Sequence, residues 1–368
     1  GPYPFATIAR STRTRRGSAV RQAEAAMLSS SPRLPLLHVS SRQPYLSYQF
    51  QLHFLRRHCS SSRFHSRIHV RSAVALESNS GSHHKVSGNI HGHVFACPVC
   101  YEPLIRKGPP GINLPAIYRS GFKCRKCSKS YSSKDIYLDL TVTAGSRNYT
   151  ETKPSGTELF RSPLVSFAYE RGWRQNFNLS GFPGLDEEFQ MAQKYFEPVK
   201  GGLVVDISCG SGLFSRKFAK SRSFSAVIAL DFSENMLRQC YEFIKNDDTI
   251  FTSNLALVRA DVSRLPFSSG SVDAAHAGAA LHCWPSPSGA VAEISRILRS
   301  GGLFVGSTFL RFTSSNSWIL RPLQAMTREI SYNYLTEEEI KDLCATCGLV
   351  NYTSKVQQSF IIFSAQKP

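Results

Sequence analysis

The chain has 368 residues, 42% hydrophobic and 19% charged, with a formal net charge of +18. That length accommodates one full α/β domain plus a smaller module, and no apolar run reaches the roughly 18 residues that a membrane-spanning helix requires. The charge is a poor guide to a partner because it is uneven: residues 1–95 hold 13 Lys and Arg against Glu24 and Glu77, residues 96–134 hold eight against Glu102, and the rest is close to neutral.

Residues 1–75 are rich in Ser and Arg and carry no acidic residue from Ala25 to Leu76. Such a segment cannot bury a core and has the composition of an organellar transit peptide. Met27 is the expected start, residues 1–26 reading as upstream sequence. Import into a plastid is expected, with the plastoglobule as a candidate site and the mitochondrion as second choice. A basic nucleic-acid-binding tail is the weaker reading, since the charges are dispersed among Ser and apolar residues instead of forming a block. Residues 76–92 read as a linker.

Residues 93–140 carry two C-x-x-C knuckles, Cys97/Cys100 and Cys124/Cys127. Four thiolates at this spacing suit one tetrahedral zinc ion, and the Pro/Gly-rich stretch between the knuckles lacks a core of its own, so a metal would supply the missing stability. With all four positions filled by Cys the expected zinc is structural. Disulfides or a redox pair are the alternatives; a redox C-x-x-C normally opens a helix in a βαβ unit, which is absent here. The basic residues Arg106, Lys107, Lys123, Arg125, Lys126, Lys129 and Lys134 make RNA contact a secondary possibility.

Residues 141–198 read as a helical lid and linker, with one amphipathic helix in LFRSPLVSFAYERGWRQNF and another in LDEEFQMAQKYF. Phe160, Tyr169 and Trp173 are candidates to line a pocket beneath it.

From residue 199 to 368, apolar strand-like runs (LVVDI, AVIAL, LALVR, VDAAHA, LFVGSTF) alternate with helical patterns. This predicts a parallel sheet covered on both faces. Ser233, Ser286 or Ser288, and Thr336 with Glu339 mark helix starts; Gly301-Gly302 is expected to end one helix. LVNYTSK and QSFIIFSAQ predict a closing hairpin. LVVDI runs into Asp206-Ile-Ser-Cys-Gly210-Ser-Gly212, and about twenty residues later a second strand ends at Asp231. A Gly-rich turn followed by a strand-tip acid holds the adenosine part of a cofactor. The loop lacks the G-x-G-x-x-G of NAD sites.

This stretch resembles the class I S-adenosylmethionine-dependent methyltransferases, especially those of ubiquinone and menaquinone biosynthesis. The resemblance implies a Rossmann-like α/β sheet with an antiparallel last strand, preceded here by a small zinc ribbon. It rests on the motif from Asp206 to Gly212, Asp231, Asp261-Val262, Leu265-Pro266-Phe267 and Leu298–Gly302, in that order. It implies S-adenosyl-L-methionine as cofactor. Gly210 and Gly212 would let the backbone approach the ligand, Asp231 would accept from ribose hydroxyls, and Phe232 or Met236 would pack on adenine. Asp261 would accept from the adenine amino group beside Val262, and Asp206 would organise the loop and face the cofactor's amino-acid end. Ser208 replaces the family's first motif glycine and fits only if its φ stays negative. Residues 93–368, with SPLVSFAYERGW and HAGAALHCWPSP, are similar to plant chloroplast zinc-ribbon methyltransferases, and the knuckles also to bacterial ribosomal RNA guanine methyltransferases.

His276 and His282, at the end of the fourth strand, are the candidate bases or orienting groups, and residues 309–335 the candidate substrate cap. The expected activity is methyl transfer to a small or lipid-like acceptor such as a quinone or phenol, with peripheral membrane or lipid-droplet association compatible. The alternatives are an RNA base methyltransferase docking through its basic module, and a non-catalytic cofactor-binding protein.

Overall fold

A computed structural model describes residues 94–250, 252–311 and 332–368. The expected transit segment, the linker and most of the expected cap lie outside the described residues. The described residues belong to one compact unit.

The chain opens with a short meander: β1 (Ile105–Lys107), α1 (Leu114–Tyr118), β2 (Gly121–Lys123), β3 (Ser130–Lys134) and β4 (Tyr137–Asp139). Next come α2 (Ser155–Glu158), α3 (Pro163–Ala168) and α4 (Leu185–Tyr195). The α/β part follows as β5 (Leu203–Ile207), α5 (Leu213–Ser221), β6 (Ala226–Asp231), α6 (Glu234–Lys245), β7 (Leu255–Arg259), β8 (Val272–Ala277), α7 (Pro287–Ile297) and β9 (Leu298–Phe309). It closes with α8 (Glu337–Thr346), β10 (Val350–Gln357) and β11 (Phe360–Gln366).

Among the described residues the strands form one sheet in the order β1-β2-β3-β4-β7-β6-β5-β8-β9-β11-β10. β7, β6, β5, β8 and β9 are parallel, and β11 runs antiparallel to β9. This is the Rossmann-like class I methyltransferase sheet. β5 and β7 are buried at every position, as a sheet covered on both faces demands. The strand order reverses at β5, between β6 and β8, and an open α/β sheet leaves a crevice for ligand at such a point, at the carboxyl ends of the strands.

Local signals set the helix starts. Ser233 accepts from the Met236 N–H ahead of α6, Ser286 from Gly289 ahead of α7, and Thr336 with Glu339 forms a full capping box on α8. Two expectations need correcting. Gly301-Gly302 does not end a helix: α7 stops at Ile297, and the pair lies inside β9, where pairing with β8 shifts register. The predicted long lid helix is broken into short turns, because the backbone leaves helical values at Ser162, ahead of Pro163, and again at Arg171 and Gly172. Its amphipathicity is also inverted around α3, where Ser166 is buried and Leu164 and Phe167 are exposed.

The cysteine-bearing meander shares the sheet with the α/β part. β4 pairs parallel with β7, Leu138 opposite Val258 and Asp139 opposite Arg259. Phe95 bridges Phe267, and their rings stack at 5.8 Å.

Candidate functional site

A cleft opens at the carboxyl ends of β5, β6, β7 and β8, walled on its far side by the segment from Lys153 to Phe177. Its floor is the turn after β5. Gly210 has φ +56 and lines the cleft, and a Cβ there would meet nothing nearer than Tyr169 at 3.6 Å. Its backbone conformation, more than crowding, calls for glycine. Gly212 (φ +79) does not line the cleft. A Cβ there would collide with Cys240 Sγ, so close packing against α6 explains this glycine, not approach to a cofactor.

Ser208 lines the cleft, but with φ 57 it does not meet the condition of a negative φ on which an unstrained fit depended. A left-handed L-residue costs about 1–2 kcal/mol, offset here by a bond from Trp284 Nε1, which donates to Ser208 Oγ at 2.9 Å.

Asp231 ends β6 at the cleft. Its Oδ2 accepts from Gly210 N at 2.9 Å and its Oδ1 from Ser233 N at 2.7 Å. Burial raises its pKa to about 6 against the pull of those two bonds. A carboxylate offers about four acceptor positions, and those not taken by the backbone N–H groups are free for the hydroxyls of a ribose. Phe232, Met236, Asp261 and Val262 line the same side. Asp261 is held by Ser263 N and Oγ at 2.9 and 2.7 Å and by the Lys153 ammonium. Burial would raise the Asp261 pKa, but these partners outweigh it and keep the carboxyl below its ordinary value.

Asp206 does not line the cleft. One oxygen accepts from Ser215 Oγ and the other lies 2.7 Å from His276 Nδ1. His276 is 1% exposed and ringed by Phe196, Phe214 and Phe218. As a candidate base it is therefore out of reach of a ligand in the cleft, because β8 aims it at the α5 side of the sheet. His282 does line the cleft. Its Nδ1 lies 3.0 Å from Thr308 Oγ1, and its ring stacks on Tyr334 at 5.6 Å with planes 6° apart. Burial lowers its pKa to about 4, so the imidazole is neutral at ordinary pH. Phe177 and Trp284 extend this aromatic wall. The loop that carries it is pinned from both sides: Thr157 Oγ1 donates to Cys283 O at 3.0 Å, and Asn333 donates through N to His282 O and through Nδ2 to Trp284 O.

Phe160 and Tyr169 line the cleft as expected, while the Trp173 side chain lies outside the described set. Lys153, Thr157 and Arg161 were not foreseen. Lys153 meets Asp261 across 108 residues of sequence, and no local pattern marks it.

The sulfurs of Cys97, Cys100, Cys124 and Cys127 lie within 4.8 Å of one another. Tetrahedral Zn–S bonds of about 2.3 Å would set sulfurs about 3.8 Å apart, so small adjustments close the set around one ion. The knuckles have matching backbones: the residue after each, Tyr101 and Ser128, has positive φ, 59° and 56°.

A methyltransferase-domain family model matches residues 205–306. An uncharacterised chloroplastic methyltransferase of Arabidopsis thaliana is 62% identical over 354 residues, covering 94% of this chain and all of that protein. A demethylmenaquinone methyltransferase of Desulfitobacterium hafniense is 25% identical over 268 residues, covering 66% of this chain and 99% of that one. Among solved structures, phosphoethanolamine N-methyltransferase 2 of Haemonchus contortus with S-adenosyl-L-methionine aligns at 18% identity and a TM-score of 0.47, covering 60% of this chain and 61% of that one. The strand order, the cleft at its switch point and the near full-length identity to the Arabidopsis protein together make this chain a member of the class I S-adenosylmethionine-dependent methyltransferases, in the plant group that includes that chloroplastic enzyme.

Proposed function

We propose that the enzyme works in a plastid and methylates a small or lipid-like acceptor with a planar ring, such as a quinone or phenol. The observation that carries this is the wall of Phe177, His282 and Trp284 in the cleft, backed by Tyr334 on the imidazole. Flat aromatic faces favour a ring-shaped acceptor. The name of the Desulfitobacterium relative, a demethylmenaquinone methyltransferase, agrees with a quinone-like ring, and the name of the Arabidopsis relative with a plastid.

In this reading Asp231 takes the ribose hydroxyls, Gly210 and Ser208 form the floor, and Phe232, Met236 and Val262 flank the adenine, with Asp261 at its polar edge. Asp206 acts at one remove, holding the turn through Ser215 and His276. The bound cofactor supplies a sulfonium methyl group for in-line displacement, so alignment and exclusion of water are the main demands on the chain. The neutral His282, oriented by Thr308, can take the proton of a phenolic acceptor. Cys97, Cys100, Cys124 and Cys127 hold a structural zinc ion. Residues 93–140 then act as a ribbon built onto the edge of the 199–368 domain, with 141–198 as the lid.

RNA docking through the basic module has less support. Arg106 bonds Ser120 and Gly111 O, Lys129 bonds Val142 O, and Lys134 pairs with Asp139, so three of its cations already have internal partners. Incubating the protein with radiolabelled methyl donor and separated plastid lipid and RNA fractions tests the choice. Label in the lipid-soluble fraction supports the reading; label in RNA overturns it.

A further inference from the structure

Two arginines link the cysteine-bearing segment to residues that wall the cleft. Asp261, in the cleft wall, caps the short turn Val262–Arg264. Arg264, at the end of that turn, donates through Nε to Pro98 O at 2.8 Å and through Nη2 to Val99 O at 2.6 Å. Pro98 and Val99 are the two residues between Cys97 and Cys100. The same guanidinium lies 4.5 Å from the ring centre of Tyr101, and Arg296 lies 4.1 Å from that ring. Ala96 N donates to Pro266 O at 2.9 Å, continuing the seam. A second strut starts at Asp139 on β4, which pairs with Arg259 Nη1 at 3.3 Å. Arg259 Nε donates to Phe232 O at 3.2 Å, and its guanidinium lies 5.3 Å from the centre of the Phe232 ring.

We propose that the four-cysteine module is a positioning element for the cofactor, and that Arg264 couples metal occupancy at Cys97, Cys100, Cys124 and Cys127 to cofactor affinity at Asp261, Val262 and Phe232. A guanidinium gripping two consecutive carbonyls needs both in a fixed orientation. Zinc fixes them by closing the knuckle in which they lie. Without the ion the knuckle relaxes, Arg264 loses its acceptors, and the turn that sets Asp261 and Val262 loses its outer anchor. Arg264 does not line the cleft and is a positioning residue. The proposal rests on the reading of the cleft as the cofactor site and adds that its geometry depends on the metal. Coupling of this kind is reciprocal: whatever factor zinc adds to cofactor affinity, the cofactor adds to zinc affinity.

The test is calorimetric titration of the full protein with S-adenosylhomocysteine, the product, in zinc-loaded, chelator-stripped and reloaded states, with zinc affinity measured against a colorimetric chelator with and without that ligand. Stripping is expected to weaken ligand binding about tenfold, within the usual range of coupling between sites, and reloading to restore it. Zinc affinity should rise by the same factor when ligand is present. Zinc-loaded Arg264→Ala should bind ligand weakly and lose the dependence on metal while retaining its zinc. Arg264→Lys, which keeps the charge but cannot span both carbonyls, should fall between and guards against a folding defect. Equal ligand affinity in loaded and stripped protein, or undiminished coupling in folded Arg264→Ala, overturns the proposal. Absence of ligand binding even in loaded wild type overturns the cofactor-site reading itself, and the coupling with it.

Discussion

His276 Nδ1 lies 2.7 Å from an Asp206 carboxylate oxygen, both side chains buried, in directly paired positions of β5 and β8. That contact turns a candidate base into a support for the motif turn, since the other Asp206 oxygen holds Ser215 at the start of α5. Replacing His276 with Ala should cost about 1.5–3 kcal/mol in urea unfolding, the range for a lost hydrogen bond to a charged group. At temperatures where the variant is folded, the pH profile of turnover should keep its shape; a displaced limb would return His276 to the chemistry.

Donor binding should weaken on acidification. The Asp231 pKa is raised by burial to about 6, and hydroxyl donors bind the ionised form, so ligand and proton compete for the same oxygens. Affinity for S-adenosylhomocysteine should be flat above pH 7 and fall by up to about tenfold for each unit below 6, and Asp231→Asn should flatten that fall. A flat profile in the wild type down to pH 5 contradicts the assignment.

His282 should act on turnover and not on donor affinity. His282→Ala is expected to lower kcat by about 10²-fold or more, the usual contribution of a positioned acid or base, with donor Kd changed less than twofold. Because burial holds the imidazole near 4, the acid limb it contributes should lie near pH 4, well below the ordinary histidine range. Steady-state rates across pH, with the donor Kd measured separately, check both points.

Metal analysis should give one zinc per chain, lost in Cys124→Ser. The loosening on chelation should not stop at the knuckles. Since β4 pairs with β7 and Ala96 bonds Pro266, hydrogen exchange should quicken in residues 93–140 and also in 259–268, while β5 and β8 stay protected. Quickening confined to residues 93–140 would show that the shared sheet does not transmit the change.

What could be read in the sequence was local. The apolar runs of β5 to β9, the caps at Ser233 and Thr336, and the spacing from the Gly turn to Asp231 are set by neighbours within a few residues or by repeating strand–helix units. What escaped depended on contacts between distant segments. Nothing in VDAAHAGAALHCW distinguishes His276 from His282, because that turns on which strand lies beside β8 and which face a residue takes. The pairing of β4 with β7, the Lys153–Asp261 contact and the grip of Arg264 on Pro98 and Val99 join segments more than a hundred residues apart. The break in the lid helix was nearer to hand, since Gly172 interrupts the pattern and glycine weakens a helix interior.

The central claim is that a strand-tip carboxylate and a glycine turn form one adenosyl site. Calorimetric titration of wild type and Asp231→Ala with S-adenosyl-L-methionine at pH 7.5 tests it most directly. One site per chain is expected in the wild type, with binding weakened by about 1–3 kcal/mol in the variant. Equal affinity in the two folded proteins would contradict it.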